Sequence, residues 1–162
     1  MSELPVIFTD LDGTLLDHDT YSAEEARLVL EKVTAKGIPV IPATSKTYSE
    51  VVEFRDSMNL THAFIVENGA ALYVPMDTDI RCPMGSKLFE GYWVREFGVK
   101  RQALCDVLEA LDMNGTYQFK SLTDMRTSEV ADVTGLDLAS AQRAQHRLCL
   151  LYTSDAADEL CS

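Results

Sequence analysis

Two carboxylates one residue apart, Asp10 and Asp12, open the run Asp10-Leu11-Asp12-Gly13-Thr14, directly after a short apolar stretch. In extended chain, side chains at i and i+2 share one side, so both acids are expected to face one crevice. Carboxylates that close repel unless one carries a proton or a cation lies beside them. A hard, oxygen-seeking ion such as Mg²⁺ suits that need, with Asp10 and Asp12 as its ligands. With the charge shielded, Asp10 can attack a phosphoryl group and form an aspartyl phosphate, while Asp12 protonates the leaving oxygen and later activates water. Gly13 allows a sharp turn beside the ligand, and Thr14 offers a hydroxyl to orient Asp12. The competing reading of D-x-D-G is a calcium loop. It calls for Glu at the twelfth place from Asp10, where Tyr21 stands.

A second group with phosphate chemistry is Thr44-Ser45-Lys46-Thr47. Hydroxyls and free N–H groups at a helix N-terminus cradle anions. Thr47 reads as the helix cap, with Glu50 three residues on. Lys46 is out of place at the positive end of a helix unless a negative ligand meets it. Thr44, Ser45 and Lys46 are therefore the candidate substrate contacts. Glu67-Asn68-Gly69-Ala70 falls where a third strand would end, as a turn that can also wall the crevice.

The elements that must position these groups follow from periodicity. Pro5–Thr9 is a short β-branched run, Ile38–Pro42 a second and Ala63–Val66 a third. Between them, Ser22 with Glu25 caps a helix near 22–36 that Gly37 stops, and Thr47 begins another carrying Val51, Val52, Phe54 and Met58. Strand, helix, strand, helix, strand specifies an α/β fold with a parallel sheet, and ligands of such sheets bind at the carboxyl ends of the strands. Asn68-Gly69 before Ala71–Val74 predicts a type I′ hairpin. Beyond Pro75 the pattern becomes a loop to about residue 86, a strand within 88–97, and helices at 100–113, 126–133 and 137–147.

The composition narrows the function. Twenty-six acidic against 14 basic side chains give a formal charge of −12 over 162 residues, which repels nucleic acid and anionic lipid. No apolar run approaches the ~20 residues needed to span a bilayer. The start, Met1-Ser2-Glu3-Leu4, has no basic region leading into an apolar one, so no signal peptide is expected and the protein is placed in the cytoplasm. Cys82, Cys105, Cys149 and Cys161 form no C-x-x-C pair and read as free thiols; His18, His62 and His146 are far apart. Oligomeric state is not legible.

The segment from Cys149 to Glu159 breaks the preceding pattern and resembles one reading frame of a transposase adapter used for sequencing libraries. Residues 149–162 are accordingly read as a non-native tail, and the chain as C-terminally truncated. Three core strands alone would leave apolar faces open, a route to aggregation.

The stretch Phe8-Thr9-Asp10-Leu11-Asp12-Gly13-Thr14-Leu15-Leu16-Asp17 resembles the first motif of the haloacid dehalogenase superfamily of aspartyl phosphatases. Thr44-Ser45-Lys46-Thr47 and Glu67-Asn68-Gly69-Ala70 are similar to the mannosyl-3-phosphoglycerate phosphatase branch, whose second motif reads Ser/Thr-Ser-Lys-Thr where many sugar phosphatases have Thr-Gly-Arg. Thr134-Gly135-Leu136 and the Ala- and Gln-rich stretch after it resemble that branch's cap. The resemblance spans about residues 5–147. It implies a partial Rossmann-like core at 1–82, the start of an α+β cap at 83–148, and Mg²⁺-dependent hydrolysis of a phosphorylated sugar-glycerate. Asp10 would be nucleophile and metal ligand, Asp12 acid/base and, through its backbone carbonyl, metal ligand, and Thr44 a phosphoryl contact. The branch's downstream lysine and Gly-Asp acidic motifs do not follow, so this chain alone is expected to be inactive or nearly so. The alternatives are another sugar phosphatase of the superfamily, a non-catalytic fragment, and a phosphate-accepting receiver domain. The last is disfavoured because its acceptor follows the third strand.

Overall fold

The computed structural model describes residues 5–17, 22–112, 122–145 and 149–150. They belong to two compact units, Met1–Phe97 and Gly98–Ser162.

The first unit carries the expected β-α-β-α-β order: β1 (Ile7–Thr9), α1 (Glu24–Thr34), β2 (Val40–Pro42), α2 (Tyr48–Ser57) and β3 (Phe64–Val66). β1 pairs parallel to β2 with Phe8 opposite Ile41, and a parallel bridge from Ala43 to Ile65 joins β2 to β3. β4 (Ala71–Pro75), β5 (Lys87–Phe89) and β6 (Tyr92–Glu96) continue antiparallel in the order β3-β4-β6-β5. The apolar stretch within 88–97 is thus the end of one strand, a turn and a second strand. Residues 87–96, grouped by sequence with the second region, pair into the sheet of the first unit, because β6 lies along all five residues of β4. The turn uses Glu90 and Gly91 at φ 45° and 84°, the left-handed geometry that hairpins favour.

Two local details depart from expectation. α1 begins at Glu24 with Ala23 as its N-cap, so Ser22 stands one place further out and accepts the Glu24 N–H at 3.3 Å. The β3–β4 hairpin forms, but over four residues, Glu67 to Ala70, instead of a two-residue type I′ turn. Glu67, Asn68 and Gly69 all have positive φ, at 50°, 57° and 91°. The second helix starts as read: the Glu50 carboxylate accepts from the Thr47 N–H at 2.9 Å and the Thr47 hydroxyl at 2.7 Å.

The core lies between the helices and the sheet, where Leu30, Val51, Phe54 and Met58 meet Val40, Phe64, Val66 and Tyr73. Its aromatic part is layered. Phe64 and Tyr73, opposite one another in β3 and β4, stack with centroids 4.9 Å apart, and Tyr48 stacks on Tyr73 at 4.7 Å. β1 is the exception to this burial. Among the described residues it pairs with β2 alone, and Phe8 is 63% exposed. Leu28 and Val29 on α1 are exposed as well.

The second unit contains β7 (Val99–Lys100), α3 (Arg101–Asp112), α4 (Thr127–Thr134), α5 (Leu138–Gln145) and β8 (Cys149–Leu150). Gly135 ends α4 at φ 74°, the left-handed cap its sequence position suggests. Val130 and Ala141 are buried, and the Gln145 amide donates to the carbonyls of Leu122 and Met125 at 2.9 and 2.8 Å. Of the segment read as a non-native tail, Cys149 and Leu150 pair antiparallel to Lys100 and Val99. Residues 151–162 lie outside the described residues, as do His18, Tyr21 and His146. Among the described residues no helix is long and apolar enough to cross a membrane, and Cys82 and Cys105 are free thiols.

Candidate active site

The chain leaves the sheet at Thr9 and folds at once into a tight loop. The N–H groups of Thr14, Leu15 and Leu16 all donate to the Leu11 carbonyl, at 3.2, 3.1 and 2.8 Å. Leu11 is fully buried, so this loop is anchored in the core, with Asp10 exposed on one side of it and Asp12 half-buried on the other. Gly13 turns the chain at φ 66°, a conformation that costs an L-residue about 1–2 kcal/mol. The Asp10 carboxylate is exposed and accepts the Leu11 N–H at 2.6 Å.

Asp12 faces a cation. Its Oδ1 lies 2.8 Å from Nζ of Lys46, whose side chain is 19% exposed against 38% for Asp12. The loops after β1 and β2 are joined by this ion pair, as expected where adjacent parallel strands deliver their carboxyl ends to one edge. Thr14, expected to orient Asp12, is exposed and makes no side-chain hydrogen bond to it. Lys46 makes that contact instead.

Thr44 is buried, and its hydroxyl accepts the Lys46 N–H at 3.2 Å. Among the described residues that hydroxyl donates to no acceptor, so its proton is available to a phosphoryl oxygen. Ser45 is half-buried beside it. The loop is held from β3: Thr44 N–H donates to Ile65 at 3.2 Å, Asn68 N–H to the Thr44 carbonyl at 2.9 Å, and Glu67 N–H to the Lys46 carbonyl at 3.0 Å. Glu67 is 3% exposed in a left-handed conformation, a combination rare for a glutamate. Sequence weighed the Glu67–Ala70 segment mainly as a turn. Its backbone straps the Thr44–Lys46 loop in place, and the only sequence signal for this was its position at the end of the third strand.

The donor set is suited in kind to a hard cation: the Asp10 carboxylate is open to solvent, and carboxylate and carbonyl oxygens are the ligands Mg²⁺ takes. Among the described residues, no cluster of three or more Asp, Glu, His or Cys side chains is arranged to hold a metal.

A parallel β-α-β-α-β half-sheet, with an acid pair after its first strand and a threonine-lysine loop after its second, is suited in kind to phosphoryl transfer. Residues 7–82 match the family model described as haloacid dehalogenase-like hydrolase. It is 39% identical over 142 residues to a glucosyl-3-phosphoglycerate/mannosyl-3-phosphoglycerate phosphatase of Methanococcoides burtonii, covering 88% of this chain and 52% of that protein. A protein of the same name from Persephonella marina is 36% identical over 145 residues, with the same two coverages. A mannosyl-3-phosphoglycerate phosphatase of Pyrococcus furiosus is 35% identical over 131 residues, covering 81% of this chain and 52% of that one. The chain thus spans about half the length of the curated relatives it matches. Among solved structures, a haloalkanoate-superfamily phosphatase of Bacteroides thetaiotaomicron aligns with a TM-score of 0.54 at 16% identity, covering 98% of this chain and 59% of that one. A Thermoplasma acidophilum protein aligns at 0.50 and 14% identity, covering 68% and 43%. At these identities the two structures support the fold alone.

Proposed function

We propose that this chain carries the nucleophile half of an Mg²⁺-dependent phosphatase acting on mannosyl-3-phosphoglycerate or its glucosyl counterpart. The observation that carries the reading is the Asp12–Lys46 ion pair beside the open Asp10 carboxylate. It supports reading Asp10 as nucleophile, Asp12 as proton-handling acid and Lys46 as phosphate-seeking cation.

An Asp10 oxygen attacks phosphorus as the bond to the glycerate 3-oxygen breaks, and Asp12 in its protonated form gives that oxygen its proton. Water then attacks the aspartyl phosphate; Asp12 takes the water proton, and Asp10 leaves as carboxylate. The Thr44 hydroxyl and the Ser45 region hold phosphoryl oxygens. Lys46 moves from Asp12 to the substrate phosphate when it arrives, which frees Asp12 to take up its proton. Asp10 and the Asp12 carbonyl would hold Mg²⁺, which supplies charge neutralisation at the phosphoryl oxygens.

Residues 98–148 are proposed as the start of a substrate-selecting cap, and the enzyme as cytoplasmic. The test is phosphate release from both phosphoglycerates, with and without Mg²⁺, by this chain and by the open reading frame recovered from source DNA beyond codon 148. The longer product is expected to hydrolyse them, with Asp10→Asn abolishing turnover and aspartyl-phosphate trapping. Turnover that survives Asp10→Asn would refute the mechanism. Preference for an unrelated sugar phosphate would refute the substrate.

A further inference from the structure

Glu67 is buried, yet its backbone is left-handed at φ 50°, and Asn68 follows at φ 57° and ψ 35°. Such a conformation is costly for a residue with a Cβ and persists only where the surroundings over-determine it. The hydrogen bonds around it show what it achieves. The Glu67 N–H donates to the Lys46 carbonyl at 3.0 Å, and the very next N–H, that of Asn68, donates to the Thr44 carbonyl at 2.9 Å. In extended chain successive N–H groups point to opposite edges. Two in a row reach one loop only if the residue between them, whose φ and ψ set the angle between the two groups, leaves the extended region. That residue is Glu67, since Val66 before it is still extended at φ −121° and ψ 164°.

The carbonyls held in this way belong to the residues with chemistry. Thr44 and Lys46 carry the hydroxyl and the ammonium group of the candidate site, and the Lys46 N–H donates to Thr44 Oγ1 at 3.2 Å, so the two are fixed as one turn. From that turn Lys46 Nζ reaches Asp12 Oδ1 at 2.8 Å.

We propose that Glu67 is a positioning residue for the Thr44–Lys46 loop, acting through its left-handed backbone and not through its carboxylate. That geometry holds the Lys46 ammonium group against Asp12 and keeps the Thr44 hydroxyl beside it for a phosphate. The phosphate side of this role rests on the phosphatase reading above; the Asp12–Lys46 side does not. An order among variants follows that charge and size alone would not give. Gly and Asn accept positive φ, Gln keeps the shape and tolerance of Glu without its charge, and Val, being β-branched, rejects that conformation.

The test uses the 162-residue chain and two readouts. Inorganic phosphate with Mg²⁺ is titrated against the amide resonances of Thr44 and Lys46. The Asp12–Lys46 coupling is measured in each background from Asp12→Asn, Lys46→Gln and the double variant in urea unfolding. Glu67→Gln, Glu67→Asn and Glu67→Gly are expected to bind phosphate within about threefold of the parent and to keep the coupling, since each retains both donors. Glu67→Val is expected to weaken phosphate binding about tenfold, as the loss of one or two neutral hydrogen bonds would, and to lose the coupling. Should Glu67→Val not fold by circular dichroism, Glu67→Ala takes its place, because it too disfavours positive φ and crowds nothing. Gln and Asn variants as weak as Val would assign the role to the carboxylate and overturn the proposal. So would a folded Val or Ala variant that binds and couples as the parent does. A parent chain that binds no phosphate up to on the order of 10 mM refutes the phosphatase reading of this loop, and the coupling series then decides the positioning role by itself.

Discussion

Replacing Lys46 with glutamine removes the contact that holds Asp12, and its cost can be worked from the geometry. At 2.8 Å an ion pair in a medium of effective dielectric 20 is worth at most about 6 kcal/mol. The paired Oδ1 is itself covered, but the Asp12 side chain as a whole is 38% exposed, so water lies close enough to screen the pair and to rehydrate the carboxylate once the lysine is gone. The net value therefore falls to about 1 kcal/mol, at the upper end for partly exposed pairs. Lys46→Gln should lower stability by that amount, Asp12→Asn by a similar amount, and the double variant by about 1 kcal/mol less than the sum. Urea unfolding followed through Trp93, the only tryptophan in the chain, reads the first unit directly. The single variants should shift the midpoint by roughly 0.3–1 M. Raising the salt to about 1 M should remove much of the coupling, because the screening length falls to about 3 Å. A coupling near zero at low salt would show that the pair is not formed in solution. A coupling of about 3 kcal/mol or more that ignores salt would show a desolvated pair, and the exposure argument would be wrong.

Burial and the neighbouring Arg55 charge hold the His62 imidazole below its usual pKa. The unfolded chain therefore takes up this proton first as pH falls through about 6.5, and the stability His62 contributes, present above that pH, is lost on acidification. His62→Gln should flatten the urea-midpoint profile between pH 7 and 5.5; an unchanged slope would remove His62 as its source. Gly13→Ala places a Cβ in open space, with nothing within 4 Å, so its cost is torsional alone, about 1–2 kcal/mol at φ 66°. A neutral result in the same unfolding assay would mean that the loop relaxes to a different turn. Phe8 and Val29 are 63% and 60% exposed, so Phe8→Lys with Val29→Glu should cost little stability, within about 1 kcal/mol each. The monomer fraction in sedimentation should rise at the same time, and a large loss of stability instead would show that these side chains are buried in solution.

The alternation of strand and helix was readable through Val66, because apolar runs of strand length alternated with a capped helical pattern and each boundary had local chemistry behind it. Thr47 and Glu50 illustrate the legible case, since a capping box involves only neighbours in sequence. Ser22 shows its limit: the same signature placed the helix start one residue early, because the Ser22 hydroxyl meets the Glu24 N–H from one place outside the cap. The hairpin tip at Glu90-Gly91 escaped detection because Glu is a poor marker for positive φ. That strand pair forms because β6 finds β4, a contact between distant residues.

The candidate site divides in the same way. Asp10, Asp12, Thr44, Ser45 and Lys46 were legible as residue types at strand ends, because a phosphoryl-transfer site needs acids, hydroxyls and a cation in that setting. Their partnership was not. Lys46 as the residue holding Asp12, Thr14 left exposed, and Glu67 buried with its backbone strapping the second loop all depend on where two crossovers bring three loops. Sequence by itself determined the chemistry on offer and the order of the elements, since both are set by local composition and period. Only the tertiary structure decided which charges meet, which stay in water, and that Arg55 lies buried, because those outcomes depend on distances between residues that the chain brings together only on folding.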